Sequence, residues 1–275
     1  LITREAGVRN LERTITSVLR KCARKIASGE AENVSVTGTG LEKLLGPRMV
    51  KPEFLNRTNA IGIANGLAWT SIGGETLPIE VQVIDNGSGK ITVTGSLGDV
   101  MKESAQLAIT YARVHAAEYG IDSERLKKCD LHIHAPEGAV PKDGPSAGVT
   151  LTTALISCLS GIPVRGDVAM TGEITLHGNV LPIGGLREKS MAAYREGMKT
   201  VLIPKDNVSD LYEVDDEVKK NIEFLPMSNL SQVLAAALLK PKTVSAGHPR
   251  TRKVKPAEAA ALPQTAEKPQ PGAVC

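Results

Sequence analysis

Pro141-Lys142-Asp143-Gly144-Pro145-Ser146-Ala147-Gly148 is a loop that runs into an apolar helix predicted to end at Gly161. A strand pattern precedes it at residues 130–135, and an apolar strand pattern follows at residues 167–174. The segment therefore predicts a strand–helix–strand unit. Similar patterns continue downstream, with helices predicted at residues 186–196 and 230–239 and strands at residues 200–203 and 222–225.

The upstream half has a different pattern. Short β-prone runs at residues 67–72, 77–84 and 90–94 are separated by Gly73-Gly74 and by residues 85–89, and both separators indicate hairpin turns. A helix is predicted for residues 97–119. Hairpins followed by strand–helix units predict an α+β fold, with a mixed α/β sheet and packed helices.

Two helices are predicted before this domain, one amphipathic over residues 10–26 and one short over residues 40–45. Gly46-Pro47 and Pro52 break the pattern, so we place a helical unit at residues 1–50 and a linker at 51–58. The main domain is then expected at residues 59–240. Residues 241–275 are rich in Pro, Ala and Lys, and we expect them to be disordered.

The composition of the chain is that of a globular protein, and it gives no sign of a zinc site, a disulfide framework or a membrane helix. The 275 residues are 41% hydrophobic with a net charge of +3, which predicts a soluble globular protein and does not indicate nucleic acid as the main partner. Four cysteines without a C-x-x-C pair indicate neither a zinc site nor a disulfide framework. No apolar run reaches the roughly 20 residues of a membrane helix. The chain begins at Leu1, so we expect it to be a fragment.

Ser146 is a candidate nucleophile. A serine in Gly-Pro-Ser is more often only a helix cap. Here, however, its hydroxyl lies where unpaired backbone amides and the helix dipole could stabilise an oxyanion. Gly144 and Gly148 would let a substrate backbone approach closely.

Lys189 is the candidate base for Ser146. A helical lysine is usually a solvated charge, but Lys189 lies near the start of its predicted helix, where the dipole disfavours an ammonium. To act near pH 7, its pKa must fall by about 3 units, a difference of ~4 kcal/mol that burial has to supply in large part. We therefore predict that Lys189 is buried beside Ser146.

The remaining candidates have weaker patterns. Thr171, at the end of a strand, could hold the lysine amine, although strand threonines are common. His132 and His134 share one face of a strand, but the sequence shows no third ligand, so no metal site is predicted. Gly87-Ser88-Gly89-Lys90 lacks the spacing of a phosphate loop and is read as a turn.

Several long motifs resemble the Lon family of ATP-dependent serine proteases, over roughly residues 1 to 240. The motifs are Gly66-Leu67-Ala68-Trp69-Thr70, residues 94–104, residues 136–148, Met170-Thr171-Gly172-Glu173-Ile174-Thr175-Leu176 and Gly184-Gly185-Leu186-Arg187-Glu188-Lys189. Their order and length make the resemblance far more specific than a lone serine. The N-terminal residues 3–13 resemble the end of the helical lid of the family's ATPase module, which assigns residues 1–50 to that lid.

The resemblance also implies roles for individual residues. Ser146 is then the nucleophile, Lys189 its general base and Thr171 the threonine that contacts the lysine. Asp143 corresponds to the acidic residue that occludes or arranges the site. Substrate would bind along Trp69 and Ala68 by strand addition and near Gly144 and Pro145. The weaker supporting positions are Glu80, His132 and His134, and Arg9 would sense nucleotide in the full-length protein.

The resemblance implies degradation of unfolded, damaged or short-lived regulatory proteins by a hexameric ring. No cofactor is then needed for peptide hydrolysis, while ATP and Mg would act through an ATPase module absent from this chain. A bacterial cytoplasm is the expected location, with a mitochondrial matrix second, and no membrane contact is expected. One alternative is a non-proteolytic Lon-like scaffold or nucleic-acid-associated module. Its main support is the basic tail, through which a weak contact with DNA is expected. A small-molecule kinase is disfavoured by the missing phosphate loop.

Overall fold

The computed structural model describes Glu5 and residues 7–47, 57–136 and 141–239. The expected tail at residues 241–275 and most of the expected linker at residues 51–58 lie outside these ranges. The proposed domain boundaries therefore stay predictions. None of the helices within the described ranges is long and apolar enough to cross a membrane.

The described part of the chain forms eight α-helices and nine strands. The helices are α1 (Arg9–Ala27), α2 (Leu41–Leu45), α3 (Asp99–Val114), α4 (Ser123–Lys127), α5 (Gly148–Ser160), α6 (Leu186–Arg195), α7 (Asp216–Asn221) and α8 (Leu230–Ala237). The strands are β1 (Ile63–Thr70), β2 (Gly73–Ile84), β3 (Ile91–Thr94), β4 (Asp130–His134), β5 (Val168–Met170), β6 (Glu173–Ile174), β7 (Val180–Leu181), β8 (Thr200–Pro204) and β9 (Glu223–Met227). Short 3₁₀ turns lie at Ala116–Tyr119, Pro145–Ala147, Lys205–Asn207 and Ser209–Glu213.

Seven strands form one mixed sheet in the order β3-β4-β2-β1-β5-β8-β9, and β6 and β7 form a separate pair. The hairpin β1–β2 and the pair β2–β4 are antiparallel, whereas β3–β4, β1–β5, β5–β8 and β8–β9 are parallel. The predicted mixed α/β sheet with packed helices is confirmed.

Strand residues alternate between two apolar clusters, one on each face of the sheet. Val168 and Met170 of β5 join the cluster that contains α3, α5 and α8 residues. Ala169 between them joins the cluster that contains α6 and α7 residues. Helices α5 and α6 therefore lie on opposite faces of the sheet, and the chain that follows β5 can contact both.

Two predicted hairpins differ from the structure. The turn after β1 lies at residues 71–72, and Gly73-Gly74 begin β2 instead of forming the turn. The predicted pairing of β2 with β3 is wrong, because β4 lies between them and pairs with both. Short-range turn signals do not reveal a strand that arrives from elsewhere in the sequence.

The loop between β2 and β3 surrounds the carboxylate of Asp130. The backbone amides of Ser88 and Lys90 donate to Asp130 Oδ1 over 2.7 and 2.8 Å. A side chain at Gly87 would overlap this carboxyl group. Backbone hydrogen bonds, led by the one from Lys90, lower the pKa of Asp130. The loop is thus held by an anion from its own chain.

Candidate active site

Ser146 lies in the 3₁₀ turn that leads into α5, and it is partly exposed. Its carbonyl accepts hydrogen bonds from the Gly172 amide over 2.9 Å and from Thr171 Oγ1 over 3.4 Å. The Val149 amide in turn donates to the Gly172 carbonyl over 3.1 Å. These bonds hold the Ser146 turn against the bend that follows β5.

Lys189 reaches the same bend from the other face of the sheet. It is the fourth residue of α6 and only 1% of its surface is exposed, so the predicted burial is confirmed. Its Nζ donates to Thr171 Oγ1 over 3.1 Å. Burial lowers the pKa of Lys189 from 10.5 to about 8, because water no longer solvates the ammonium.

Thr171 connects the two halves of the site. It is 1% exposed, its hydroxyl accepts from Lys189, and the same hydroxyl donates to the Ser146 carbonyl. The Thr171 amide donates to the Leu202 carbonyl of β8 over 3.1 Å, which fixes the residue at the end of the sheet. A single buried hydroxyl therefore sets the position of the lysine amine relative to the serine turn.

Ser146 and Lys189 line one cleft. The four residues expected to contact substrate line it as well, namely Ala68, Trp69, Gly144 and Pro145. β1 pairs with β5 only at Asn65 and Gly66, so residues 67–70 extend past the last paired position. That part of β1 borders the cleft.

Asp143 anchors the loop in front of Ser146. Its Oδ1 accepts from the Gly144 amide over 2.9 Å and from the Met101 amide over 3.1 Å. Met101 lies in the first turn of α3, whose N-cap residue Gly98 has no side chain to cap the helix. A side chain at Gly98 would overlap the Asp143 carboxyl group. Asp143 therefore supplies a cap from a distant part of the chain.

The backbone amides at the start of α5, which were predicted to stabilise the oxyanion, already donate to other acceptors. The Gly148 amide donates to the Pro145 carbonyl and the Val149 amide to the Gly172 carbonyl, so the first amides of α5 are already used. Gly148 is buried against Ile174 and does not face substrate, contrary to expectation. Within the described ranges, no acceptor takes a hydrogen bond from the Ser146 amide.

The weaker candidates lie away from the cleft. Glu80 and His134 are paired across β2 and β4, and His132 is two residues away on β4. Thr94 Oγ1 lies 2.9 Å from His132 Nε2 and 2.8 Å from His134 Nδ1. None of these side chains lines the cleft of Ser146 and Lys189, and their supporting roles stay predictions. Arg9 is exposed at the first residue of α1.

Asn207 was not identified as a candidate site residue from the sequence. Asn207 is 3% exposed, and its side-chain amide accepts from the Ile183 amide over 2.9 Å and donates to the Ile183 carbonyl over 2.8 Å. Ile183 lies in the cleft wall that leads into α6. An isolated asparagine in a 3₁₀ turn carries no periodic pattern, so only its burial identifies it.

The described side chains form no group of three or more His, Cys, Asp or Glu residues that could hold a metal ion. The side chains that line the cleft supply the hydroxyl of Ser146, the buried amine of Lys189 with its lowered pKa and the carboxyl group of Asp143.

Two family profiles match the chain. The profile described as the Lon protease (S16) C-terminal proteolytic domain matches residues 35–240. The profile described as the Lon protease AAA+ ATPase lid domain matches residues 2–34.

Curated relatives agree with these profiles. The chain is 53% identical over 240 residues to a Lon protease of Brevibacillus choshinensis, covering 87% of this chain and 31% of the relative. It is 52% identical over 242 residues to a Lon protease of Desulforamulus reducens, which covers 88% of this chain and 30% of that relative. A Lon protease of Syntrophomonas wolfei is 51% identical over 245 residues, covering 89% and 30%. The chain spans about 30% of the length of these relatives.

Proposed function

Because this chain belongs to the Lon protease family and contains its serine peptidase domain, we propose that Ser146 and Lys189 form the catalytic dyad. The observation that carries the proposal is the buried lysine amine, 3.1 Å from Thr171 Oγ1 and in the same cleft as Ser146. A lysine whose pKa is lowered to about 8 is partly neutral near physiological pH. Only the neutral amine can accept the serine proton.

The reaction has two halves. Neutral Lys189 accepts the proton of Ser146 Oγ while Oγ forms a bond to the substrate carbonyl carbon. The tetrahedral intermediate collapses as the C–N bond breaks, and the Lys189 ammonium donates its proton to the leaving amine. Water then attacks the acyl-enzyme, with its proton passing to Lys189 and then to Ser146 Oγ. Each half returns the lysine to the neutral state.

The oxyanion needs donors that the Ser146 turn supplies only in part. The Ser146 amide has no acceptor within the described ranges, and we assign it the first of these hydrogen bonds. The amides of Gly144, Gly148 and Val149 are bonded to Asp143, Pro145 and Gly172. Any of these three amides could serve as a second donor only if its present hydrogen bond breaks.

Unfolded polypeptide is the proposed substrate. Residues 67–70 of β1 extend past β5 beside Ser146, so an extended peptide can add as a strand at Ala68 and Trp69. Gly144 has a φ of +133° and leaves open space where a side chain would be, which lets the substrate backbone approach Ser146. Recognition through the backbone accepts many side chains.

Energy-dependent delivery of substrate is the proposed task of an ATPase module outside this chain. The match of residues 2–34 to the lid domain supports this division, and Arg9 at the start of α1 would sense the nucleotide there. ATP and Mg²⁺ would bind in that module, and no step at Ser146 passes through them. We further propose a six-membered ring and a bacterial cytoplasmic location by family resemblance, and a domain division at residues 50 and 58 from the helix breakers Gly46-Pro47 and Pro52.

A peptidyl boronate tests the dyad in this chain, because it forms a tetrahedral adduct only with an activated serine. We expect a covalent adduct on Ser146 by mass spectrometry, and none in Ser146→Ala or Lys189→Met. Lys199→Met, on a different part of the surface, serves as the control and should react normally. Adduct formation at an unchanged rate in Lys189→Met would refute the role of the lysine.

The weak contact with DNA is proposed only for the basic residues after position 240. A titration at increasing salt, with this chain and with one that ends at residue 240, measures it. Equal DNA affinities of the two chains would show that the residues after position 240 do not contribute to DNA binding.

A further inference from the structure

We propose that the cross-strand pair Trp69–Gly74 at the tip of the β1–β2 hairpin is a positioning element that holds the start of α6 and keeps the Lys189 amine away from water. The proposal rests on the assigned role of Lys189 as general base. Trp69 and Gly74 are directly opposite each other in the hairpin register. Directly opposed residues project from the same face of an antiparallel pair, so both face α6.

Gly74 contacts α6 at two points. A side chain at Gly74 would overlap the Glu188 carbonyl oxygen and lie 3.0 Å from the Lys189 amide nitrogen. The Gly74 carbonyl also accepts a hydrogen bond from Arg195 Nη2 over 3.2 Å. Glu188 and Arg195 are seven residues, or about two helical turns, apart. Contacts two turns apart on one helix fix both its distance from the sheet and its rotation about its own axis.

Trp69 contacts the residue that precedes α6. A side chain at Gly185 would lie 2.6 Å from Cγ and Cδ1 of Trp69, so the indole ring lies directly on the Gly185 backbone. Gly185 has a φ of +70°, a conformation that glycine adopts readily. It is the N-cap of α6, and its carbonyl accepts from the Lys189 amide over 3.0 Å. The ring therefore contacts the first turn of the helix that carries the lysine.

The two side chains differ in exposure. Trp69 is 55% exposed, whereas Lys189 is 1% exposed although it lines the same open cleft. An ammonium next to an open cleft would normally be hydrated. Burial is the cause of the lowered pKa of Lys189, so a group that excludes water from the amine controls the fraction of neutral lysine.

The pair also links substrate to the base. Trp69 and Ala68 border the proposed site of strand addition, so a peptide bound there would lie over the indole ring. A bound peptide would cover the exposed side of the ring and further reduce access of water to Lys189. Trp69 is then a positioning residue for the base as well as a contact for substrate.

The test is a direct titration of Lys189 in this chain. The protein is labelled with ¹³C at the lysine ε-carbons, and its NMR spectrum is recorded from pH 6 to pH 11. The resonance that disappears in Lys189→Met identifies the residue. We expect Trp69→Ala to raise the pKa of Lys189 by about 1 unit, which lowers the neutral fraction at pH 7 about tenfold. Trp69→Phe retains a ring over Gly185 and should keep the original pKa.

Gly74→Ala is the second variant, because its methyl group forces α6 away from the hairpin. We expect the same upward shift of the Lys189 pKa. Gly197→Ala is the matched control at the other end of α6, where φ is +79° and no atom lies within 4 Å of the added methyl group. It should lower the melting temperature through backbone strain and leave the Lys189 pKa unchanged.

If Gly74→Ala does not fold, the two Trp69 variants decide the question alone. An unchanged Lys189 pKa in folded Trp69→Ala overturns the proposal, and so does an equal shift in Trp69→Phe. The titration needs no substrate and no turnover. A failure of the catalytic dyad would appear in the boronate experiment, so the two hypotheses fail separately.

Discussion

Lys189 Nζ donates a hydrogen bond to Thr171 Oγ1 over 3.1 Å, and both residues are 1% exposed. Thr171→Val removes this acceptor at almost constant volume. The amine then loses its fixed direction but stays in the site, and we expect kcat for peptide cleavage to fall about 10- to 100-fold, less than most of the roughly 10²- to 10⁴-fold that a positioned base contributes in full. KM should stay constant because Thr171 does not border the cleft.

Thr171→Ser keeps the hydroxyl and is the control for that variant. It should retain most of the activity of the unsubstituted chain. Equal losses in the valine and serine variants would show that the methyl group of Thr171, and not its hydroxyl, matters at this position.

Lys189→Met is expected to stabilise the fold. The native pKa of about 8 lies below the ordinary 10.5, so the native state is penalised whenever the lysine is charged. This penalty is about 3 kcal/mol below pH 8, and the lost hydrogen bond to Thr171 offsets about 1 kcal/mol of the gain. Urea unfolding at pH 7 should therefore show a gain of about 2 kcal/mol.

The difference in unfolding free energy between Lys189→Met and the unsubstituted chain should depend on pH. Between about pH 8 and pH 10.5 the unfolded chain holds a proton that the native chain has lost, so the contribution of Lys189 to stability rises with pH. The advantage of Lys189→Met should shrink across this window and disappear near its upper end. A difference between the two proteins that is constant with pH would contradict the assigned cause.

Asp143→Ala removes the distant cap of α3 and the anchor of the Ser146 loop together. We expect a loss of about 1 kcal/mol in unfolding free energy and a loss of peptidase activity. Asp143→Asn keeps an oxygen acceptor and should be nearly as stable as the unsubstituted chain.

The double variant Gly98→Ser with Asp143→Gly, compared with Asp143→Gly alone, separates the two roles. Serine at the N-cap restores a local cap for α3 once the whole Asp143 side chain is gone; alanine at position 143 would not suffice, because a Cβ at position 98 would lie 2.7 Å from the Asp143 Cβ. Stability should recover in urea unfolding, whereas activity should remain low because Gly144 still lacks its acceptor. Recovery of both quantities would mean that the anchor has no catalytic consequence.

Asn207→Asp replaces the donor to the Ile183 carbonyl by an oxygen. We expect a loss of about 2 kcal/mol in unfolding free energy, because the partly buried Ile183 carbonyl loses its donor and the new carboxylate lies beside that of Asp210, which Asn207 Nδ2 contacts at 2.6 Å. The cleft wall at Ile183 loosens, so KM should rise. Asn33→Asp makes the same change at an exposed residue outside the helices and strands and should alter stability by less than about 0.5 kcal/mol.

The sequence predicted much of the fold because local patterns determine most helices and several strands. The helices over Arg9–Ala27 and Leu186–Arg195 lie within one residue of prediction at each end. Burial of Lys189 was also predictable, since a lysine base needs desolvation to reach a useful pKa. The contact of Thr171 with both Lys189 and the Ser146 turn required the resemblance. Thr171 lies 25 positions after Ser146 and 18 before Lys189, and residues so far apart share no local pattern.

Other features depend on contacts between distant segments. Gly73-Gly74 has the pattern of a turn, but Gly74 is a glycine because the Glu188 carbonyl approaches it. Asp143 caps a helix 42 residues earlier in the chain, which no local capping rule anticipates. A glycine permits both a turn and a close approach, and only the tertiary fold distinguishes the two.

The Asp130 carboxylate in the loop of Gly87-Ser88-Gly89-Lys90 acts as a tethered ligand. Its amide contacts of 2.7 and 2.8 Å use the donors that a free phosphate would need. Even a flexibly tethered group competes at an effective concentration in the millimolar range, and Asp130 is fixed in a strand. Free phosphate or nucleotide therefore has to displace an internal competitor. The amides of the loop are thus occupied by a carboxylate of the same chain, and an anion from solution can use them only after that carboxylate has left.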